Sequence, residues 1–254
     1  MDGTEIVVRS RTTQTTAEER ADGTVVFPRL PAGFDADRLR REMRCHPGSS
    51  DEACFEAMLE RAAAQACPKA LYRPCRIEAR RGNEVTIEGV TFSGPLLRRQ
   101  LARVHRVFPF VVTCGRELDA LSPPSAEVLE RYYWGRICTA ILRRAHQAIR
   151  KDLRHRFQLP STAYLAPGSG DAWLWPIEQL PRVFELLGGK PAEIGVELKP
   201  SCVMIPAKTL AGFHYASKKE FQTCRACNMK ACPDRLAPLD PGFWQELRRS
   251  LEGL

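Results

Sequence analysis

Ala166-Pro167-Gly168-Ser169-Gly170-Asp171 runs through Ala172-Trp173-Leu174-Trp175 into Pro176-Ile177-Glu178-Gln179. Strand-like Ser161-Thr162-Ala163-Tyr164 precedes it. The residues after it predict a helix over Pro176 to Leu187, with proline early, where its missing N–H costs nothing. Two glycines at alternate positions let the backbone pass close to a ligand, and exposed N–H groups at the following helix could hold a carboxylate or phosphate. The pattern lacks the third glycine of a dinucleotide fingerprint and the Gly-Lys-Ser/Thr of a phosphate-binding loop, so taken bare it reads as a tight turn. Trp173 and Trp175 add aromatic faces able to cover a flat ring or a sulfonium.

Strands and helices mix on both sides of this loop without a regular βαβ repeat. That predicts an α+β fold, a twisted and mainly antiparallel sheet flanked by helices, with a cysteine-rich loop near the C-terminus. Upstream, Val25-Val26-Phe27 reads as a short strand, and Phe34 to Cys45 as a short helix capped by Asp35. A clearer helix runs from Glu52 to Ala66, capped by Ser50 or Asp51. Leu71 to Glu78 and Val85 to Ile87 read as strands around a turn at Arg80-Arg81-Gly82-Asn83, and Gly94-Pro95 opens a helix to about Val104. Val107 to Thr113 is a continuous apolar run, as expected of a buried central strand. A long helix follows, capped by Ser125 and reaching about Phe157. Short strands at Gly195–Leu198, Cys202–Ile205 and Leu210–Tyr215 precede a closing helix over Phe243–Leu251. The expected organisation is a poorly defined segment over 1–33, the α+β domain over 34–220, and a cysteine-rich loop with a helix over 221–254.

In 254 residues, 44% are hydrophobic and 27% charged, ordinary globular usage that excludes wholesale disorder. No apolar run is long enough to span a membrane, and the acidic Met1-Asp2-Gly3-Thr4-Glu5 is not followed by a signal-like segment, so a soluble cytoplasmic protein is expected. The net charge of +8 suits an acidic partner, an anionic ligand or nucleic acid without choosing among them. Arg143 to Arg156 holds six Arg/Lys against one Asp, but without interleaved aromatics it reads as a solvated face rather than a nucleic-acid surface.

Ten cysteines in a chain expected to be reduced point to metal or redox chemistry before disulfides. Cys224-x-x-Cys227-x4-Cys232-Pro233 offers three thiolates from one short segment, with Cys202 the first candidate for a fourth ligand and Cys114 the second. The Cys-Pro ending and the lack of paired histidines favour an iron–sulfur cluster over zinc, while the bland reading is a set of free thiols. Cys45, Cys54, Cys67, Cys75 and Cys138 read as small hydrophobes, and His214, alone beside a strand, as structural.

Five motifs in order carry a resemblance. Gly89-Val90-x-Phe92-x-Gly94, Thr113-Cys114-Gly115, Gly168-Ser169-Gly170-Asp171-x4-Trp175-Pro176-Ile177-Glu178-Gln179, Gly195-Val196-x-Leu198-x-Pro200-Ser201 and Met204-x-Pro206-x-Lys208-Thr209 resemble the activation domain of cobalamin-dependent methionine synthase over residues 34–236. The match is to its short free-standing relatives, some of which end in a segment like Cys224 to Arg235. The resemblance implies S-adenosylmethionine binding by Tyr164, Ala166, Pro167, Gly168, Ser169, Gly170 and Asp171. It further implies a corrinoid carried by a partner, such as a methionine synthase subunit, and its return from cobalt(II) to methylcobalamin by an electron and a methyl group. The family loop has the form Arg-x-x-x-Gly-Tyr; here Tyr164 stands at the Arg position and Ser169 at the Tyr position, leaving another base such as Lys208 to meet the ligand carboxylate. Two other readings compete. One is a non-catalytic metal-binding module that docks on a corrinoid protein; the other, weaker, is a zinc-containing nucleic-acid-binding protein.

Overall fold

The computed structural model describes residues 16–121, 128–218, 221–232 and 235–252, except the side chains of 250–252. The first half contains β1 (Glu18–Glu19), β2 (Val25–Phe27), α1 (Ala36–Met43), α2 (Glu52–Gln65), β3 (Lys69–Tyr72), β4 (Cys75–Arg81), β5 (Glu84–Ile87), β6 (Val90–Ser93) and α3 (Pro95–Gln100). Then come β7 (Arg106–Thr113), α4 (Arg116–Asp119), α5 (Val128–Arg156) and β8 (Thr162–Leu165). A 3-10 turn over Ile177–Gln179 leads into α6 (Leu180–Leu187), and β9 (Glu197–Leu198), β10 (Met204–Ile205), β11 (Thr209–Ala216) and α7 (Pro241–Glu252) complete the chain.

The apolar run predicted to be central is β7. β3 and β4 lie in succession along one of its edges and β11 along the other, with β8 beyond β11; every pairing is antiparallel. The α+β fold with a mainly antiparallel sheet is therefore present. Alternation along β7 divides the core: Val107 and Val111 face α3, α6 and the glycine loop, while Phe108, Phe110 and Val112 face the apolar stripe of α5 (Ala145, Ile149, Leu153). A third cluster joins α1, α2 and the first half of α5 through Phe55, Leu59, Tyr133, Trp134 and Ile137. Each such side chain contributes about 1.5–3 kcal/mol on burial, which is why the run is buried on both faces.

Four expectations are corrected. Leu71 to Glu78 is two strands, because Pro74 has no N–H for the ladder; Tyr72 pairs with Phe110 and Cys75 with Val107, and Arg73 N reaches Pro109 O at 3.0 Å between them. The turn is confined to Gly82-Asn83, since Arg80 and Arg81 pair with Val85 and Glu84. The helix expected from Pro176 begins as a 3-10 turn and becomes α-helical only at Leu180. Val90–Ser93, not expected to be a strand, pairs with β5. Asp35 caps α1 as expected, accepting from Arg38 N at 2.8 Å, but at α2 Asp51 makes no side-chain cap bond, and Glu52 takes the Gly48 N–H at 2.6 Å instead. Ser125 and Pro233 lie outside the described residues. Among the described residues no helix is long and apolar enough to cross a membrane.

Candidate functional site

The glycine loop leaves the sheet at the end of β8. It is closed on itself: Gly168 N donates to Trp175 O at 2.8 Å, Ser169 N to Ala166 O at 3.1 Å and Leu174 N to Asp171 O at 3.0 Å. Gly168 sits at φ +72°, and a Cβ there would stand 2.9 Å from Ile177, so the position takes glycine for both conformation and space. Where the loop begins, β11 comes so close that a Cβ on Gly212 would lie 2.0 Å from Leu165 O. Where it ends, a Cβ on Gly94 would lie 2.6 Å from Leu174 O. Trp175 is buried against Phe92 and Phe213, and its indole N–H donates to Gln179 Oε1 at 3.3 Å. The Gln179 amide also clasps the end of β6, with Oε1 accepting from Ser93 N at 2.8 Å and Nε2 donating to Ser93 O at 2.6 Å and to Ser93 Oγ at 3.0 Å. Residues from two of the motifs, with Gly212 and Phe213 of β11, thus form one structural joint.

Asp171 ties this joint to the C-terminal segment, accepting from Asn228 N at 3.3 Å and from Trp244 Nε1 at 3.1 Å. A Cβ on Gly170 would meet Thr223 at 3.1 Å and Cys227 at 3.5 Å. The cysteine-rich segment is therefore packed against the inner end of the loop, while Gly168 and Ile177 remain exposed at its outer end.

Tyr164 points to the opposite face of the sheet. It lies among Phe110, His146 and His214, where burial pushes its hydroxyl pKa up; Cys224 adds to that, and Arg150 and Arg143 oppose it. His146 and His214, 68 residues apart, share a hydrogen bond of 3.0 Å between their Nε2 atoms. Burial drives both imidazoles down, His146 to about 3 and His214 well below its ordinary value, so both are neutral at pH 7. His214 pairs with a residue that left no sequence signal: His146 is one of two histidines on α5, the other being His155. Lys208 also turns towards α5, its Nζ 3.9 Å from where a Cβ on Gly135 would stand, and it makes no hydrogen bond to the glycine loop among the described residues. The cations on the Tyr164 side are Arg143 and Arg150.

The cysteines do not fit a metal centre. Among the described residues no three His, Cys, Asp or Glu side chains converge in a way that could hold a metal ion. Cys227 is buried beside Gly170, whereas Cys224 Sγ accepts from Leu236 N at 3.4 Å. Arg235 ties the segment internally, donating to Cys224 O at 3.1 Å and Cys227 O at 3.3 Å. Cys202 occupies the turn between β9 and β10 at φ +62°. Cys114 is buried against Cys138, whose thiol it contacts: the contact and burial push Cys114 up, and the same contact pulls Cys138 down. A local run of thiols is legible in sequence, but whether they meet at one point is a tertiary matter.

The fold and this joint define an α+β protein whose antiparallel sheet carries a glycine loop sealed from behind by its own C-terminal segment. No family model and no curated protein matches the chain. Among solved structures it is similar to the MetH reactivation domain bound to AdoHcy, with a TM-score of 0.53 and 13% identity over 83% of this chain and 83% of that one. At that identity the likeness establishes the fold.

Proposed function

We propose that this chain is an accessory protein that reactivates a corrinoid-dependent methyltransferase of the methionine synthase type and takes S-adenosylmethionine at the end of the sheet where β8 passes into the glycine loop. The observation that carries the reading is the fold-wide likeness to a reactivation domain solved with AdoHcy, which is what remains of S-adenosylmethionine once its methyl group has gone. The five ordered motifs support it independently. In this reading the corrinoid is carried by a partner.

In this reading the backbone at exposed Gly168 and half-buried Ser169 lines the ligand, Ala166 and Pro167 shape the entry, and Gly170 and Asp171 hold the loop against the C-terminal segment. Tyr164 takes the place of the family's arginine, and Arg143, Arg150 or Lys208 supplies the positive charge for the ligand carboxylate. S-adenosylmethionine supplies the methyl group, and the electron comes from outside the chain. An iron–sulfur cluster or zinc on Cys224, Cys227, Cys232 and Cys202 has no part in the proposal, because the thiols do not converge.

Calorimetric titration of the full chain with AdoHcy tests the ligand, and formation of methylcobalamin on a corrinoid methyltransferase held as cobalt(II) tests the activity. One-to-one AdoHcy binding that Gly168→Ala abolishes without loss of fold supports the reading. No saturable binding of either AdoHcy or S-adenosylmethionine refutes it.

A further inference from the structure

At the other end of the same sheet, away from the glycine loop, the start of β7, the turn after α3 and the residue preceding β8 by a short step enclose a cavity of about 520 Å³. Its rim carries Arg76, Arg103, His105 and Arg106, its apolar wall includes Phe108 and Leu159, and among the described residues no carboxylate lines it. Arg76 and Arg106 are direct cross-strand partners, so two guanidinium groups leave the same face of the sheet opposite each other. Like charges in that relation work against the sheet. Among the described residues neither guanidinium has a carboxylate partner: Glu88 pairs with Arg73 and accepts from Arg76 N at 3.3 Å, and Glu78 takes the Gly89 N–H. Arg106 instead lies over the Phe157 ring, 5.8 Å from its centre.

The rim is held in place. Arg80 donates through Nε to Leu101 O at 2.9 Å and through its terminal nitrogen to Val104 O, which fixes the turn that presents Arg103 and His105. Ile77 N donates to His105 O at 3.0 Å from the neighbouring strand. A cavity of this size fits a small organic ligand, and guanidinium groups recognise phosphate oxygens through paired N–H donors.

We propose that this cavity is a binding site for a phosphorylated small molecule that carries a ring: phosphate on Arg76, Arg103 and Arg106, the ring against Phe108 and Leu159. A cationic sulfonium is repelled by this rim, so the site is separate from the one proposed for S-adenosylmethionine and stands without it.

The test is calorimetric titration of the full chain at physiological salt with ADP, inorganic pyrophosphate, adenosine and a short oligodeoxythymidine. The expected result is saturable ADP binding, tighter than that of pyrophosphate or adenosine. Arg103→Gln with Arg106→Gln weakens it roughly tenfold or more, as the loss of charge-assisted hydrogen bonds requires. Both side chains are exposed, so the melting temperature should hold, and Arg61→Gln, at an exposed position of α2, should leave binding unchanged. A second variant, Arg80→Met, should weaken ADP by releasing the turn while leaving the rim charges intact. Pyrophosphate binding as tightly as ADP, an affinity indifferent to the double substitution, or preference for the oligonucleotide would each overturn the proposal, the last in favour of a nucleic-acid surface.

Discussion

Replacing Gln179 by leucine should expose how much the fold depends on one buried amide. The side chain is 8% exposed and joins three elements: the end of β6 through Ser93, the glycine-loop exit through Trp175, and the turn that starts α6. Leucine keeps the volume and removes every bond. Ser93 N–H, Ser93 C=O and the Trp175 indole N–H lose their partner together, and the indole belongs to a side chain only 1% exposed. Each unsatisfied group costs about 1–3 kcal/mol, with the half-buried Ser93 groups at the low end because water reaches them, so the sum is about 3 kcal/mol. For a chain of this length that lowers the melting temperature by roughly 6–12 °C. Ser93→Ala, which removes only the Oγ acceptor, should cost under about 1 kcal/mol. Thermal unfolding followed by tryptophan fluorescence and circular dichroism measures both. A Gln179→Leu shift no larger than that of Ser93→Ala would refute the argument that this amide is the joint between β6 and the loop.

The same reasoning gives three further outcomes. Asp171→Ala should free the C-terminal segment by removing the acceptor of Asn228 N–H and the Trp244 indole, seen as faster hydrogen exchange over 221–252 with little change in β7 and β11. The His146–His214 pair should make stability fall on acidification. Both folded pKa values lie below the unfolded value, so the unfolded chain binds more protons as pH drops under about 6.5. The loss should approach roughly 1.4 kcal/mol per pH unit for each histidine; urea midpoints at pH 7, 6 and 5 measure it, and a flat profile would sink the idea. In the native protein Cys114, Cys138 and Cys75 should resist alkylation at pH 8, since all three are buried and Cys75 is pushed up to about 12, whereas Cys202 and Cys224 should label first by mass spectrometry.

Much of this was local enough to read in the chain. The continuous run Val107 to Thr113 marked the central strand, and Asp35 announced a cap that forms as expected. These signals survive because hydrophobic period and backbone chemistry act within a few residues of each other. The motifs survive for a different reason: Gly94, Gly168 and Gln179 mark places of close approach between separated stretches, and only certain side chains fit there. Pro74 shows the limit, since a proline in an apolar run signals a break, yet the two halves could be placed on one edge of β7 only by pairing.

What the sequence by itself determined is the fold class, the buried strand and the position of the glycine loop, because short-range patterning leaves its mark residue by residue; the joint of Gln179 with Ser93 and Trp175 was decided by tertiary structure. Only the tertiary structure decided that Tyr164 faces histidines 146 and 214, that Lys208 turns towards α5, that among the described residues no three of the cysteines converge as metal ligands, and that Arg76 and Arg106 confront each other with no described carboxylate paired to either guanidinium. Each of these depends on strand register and on which face a side chain leaves. Because side chains alternate with a period of two, a one-residue change in pairing would reverse them while leaving local composition untouched.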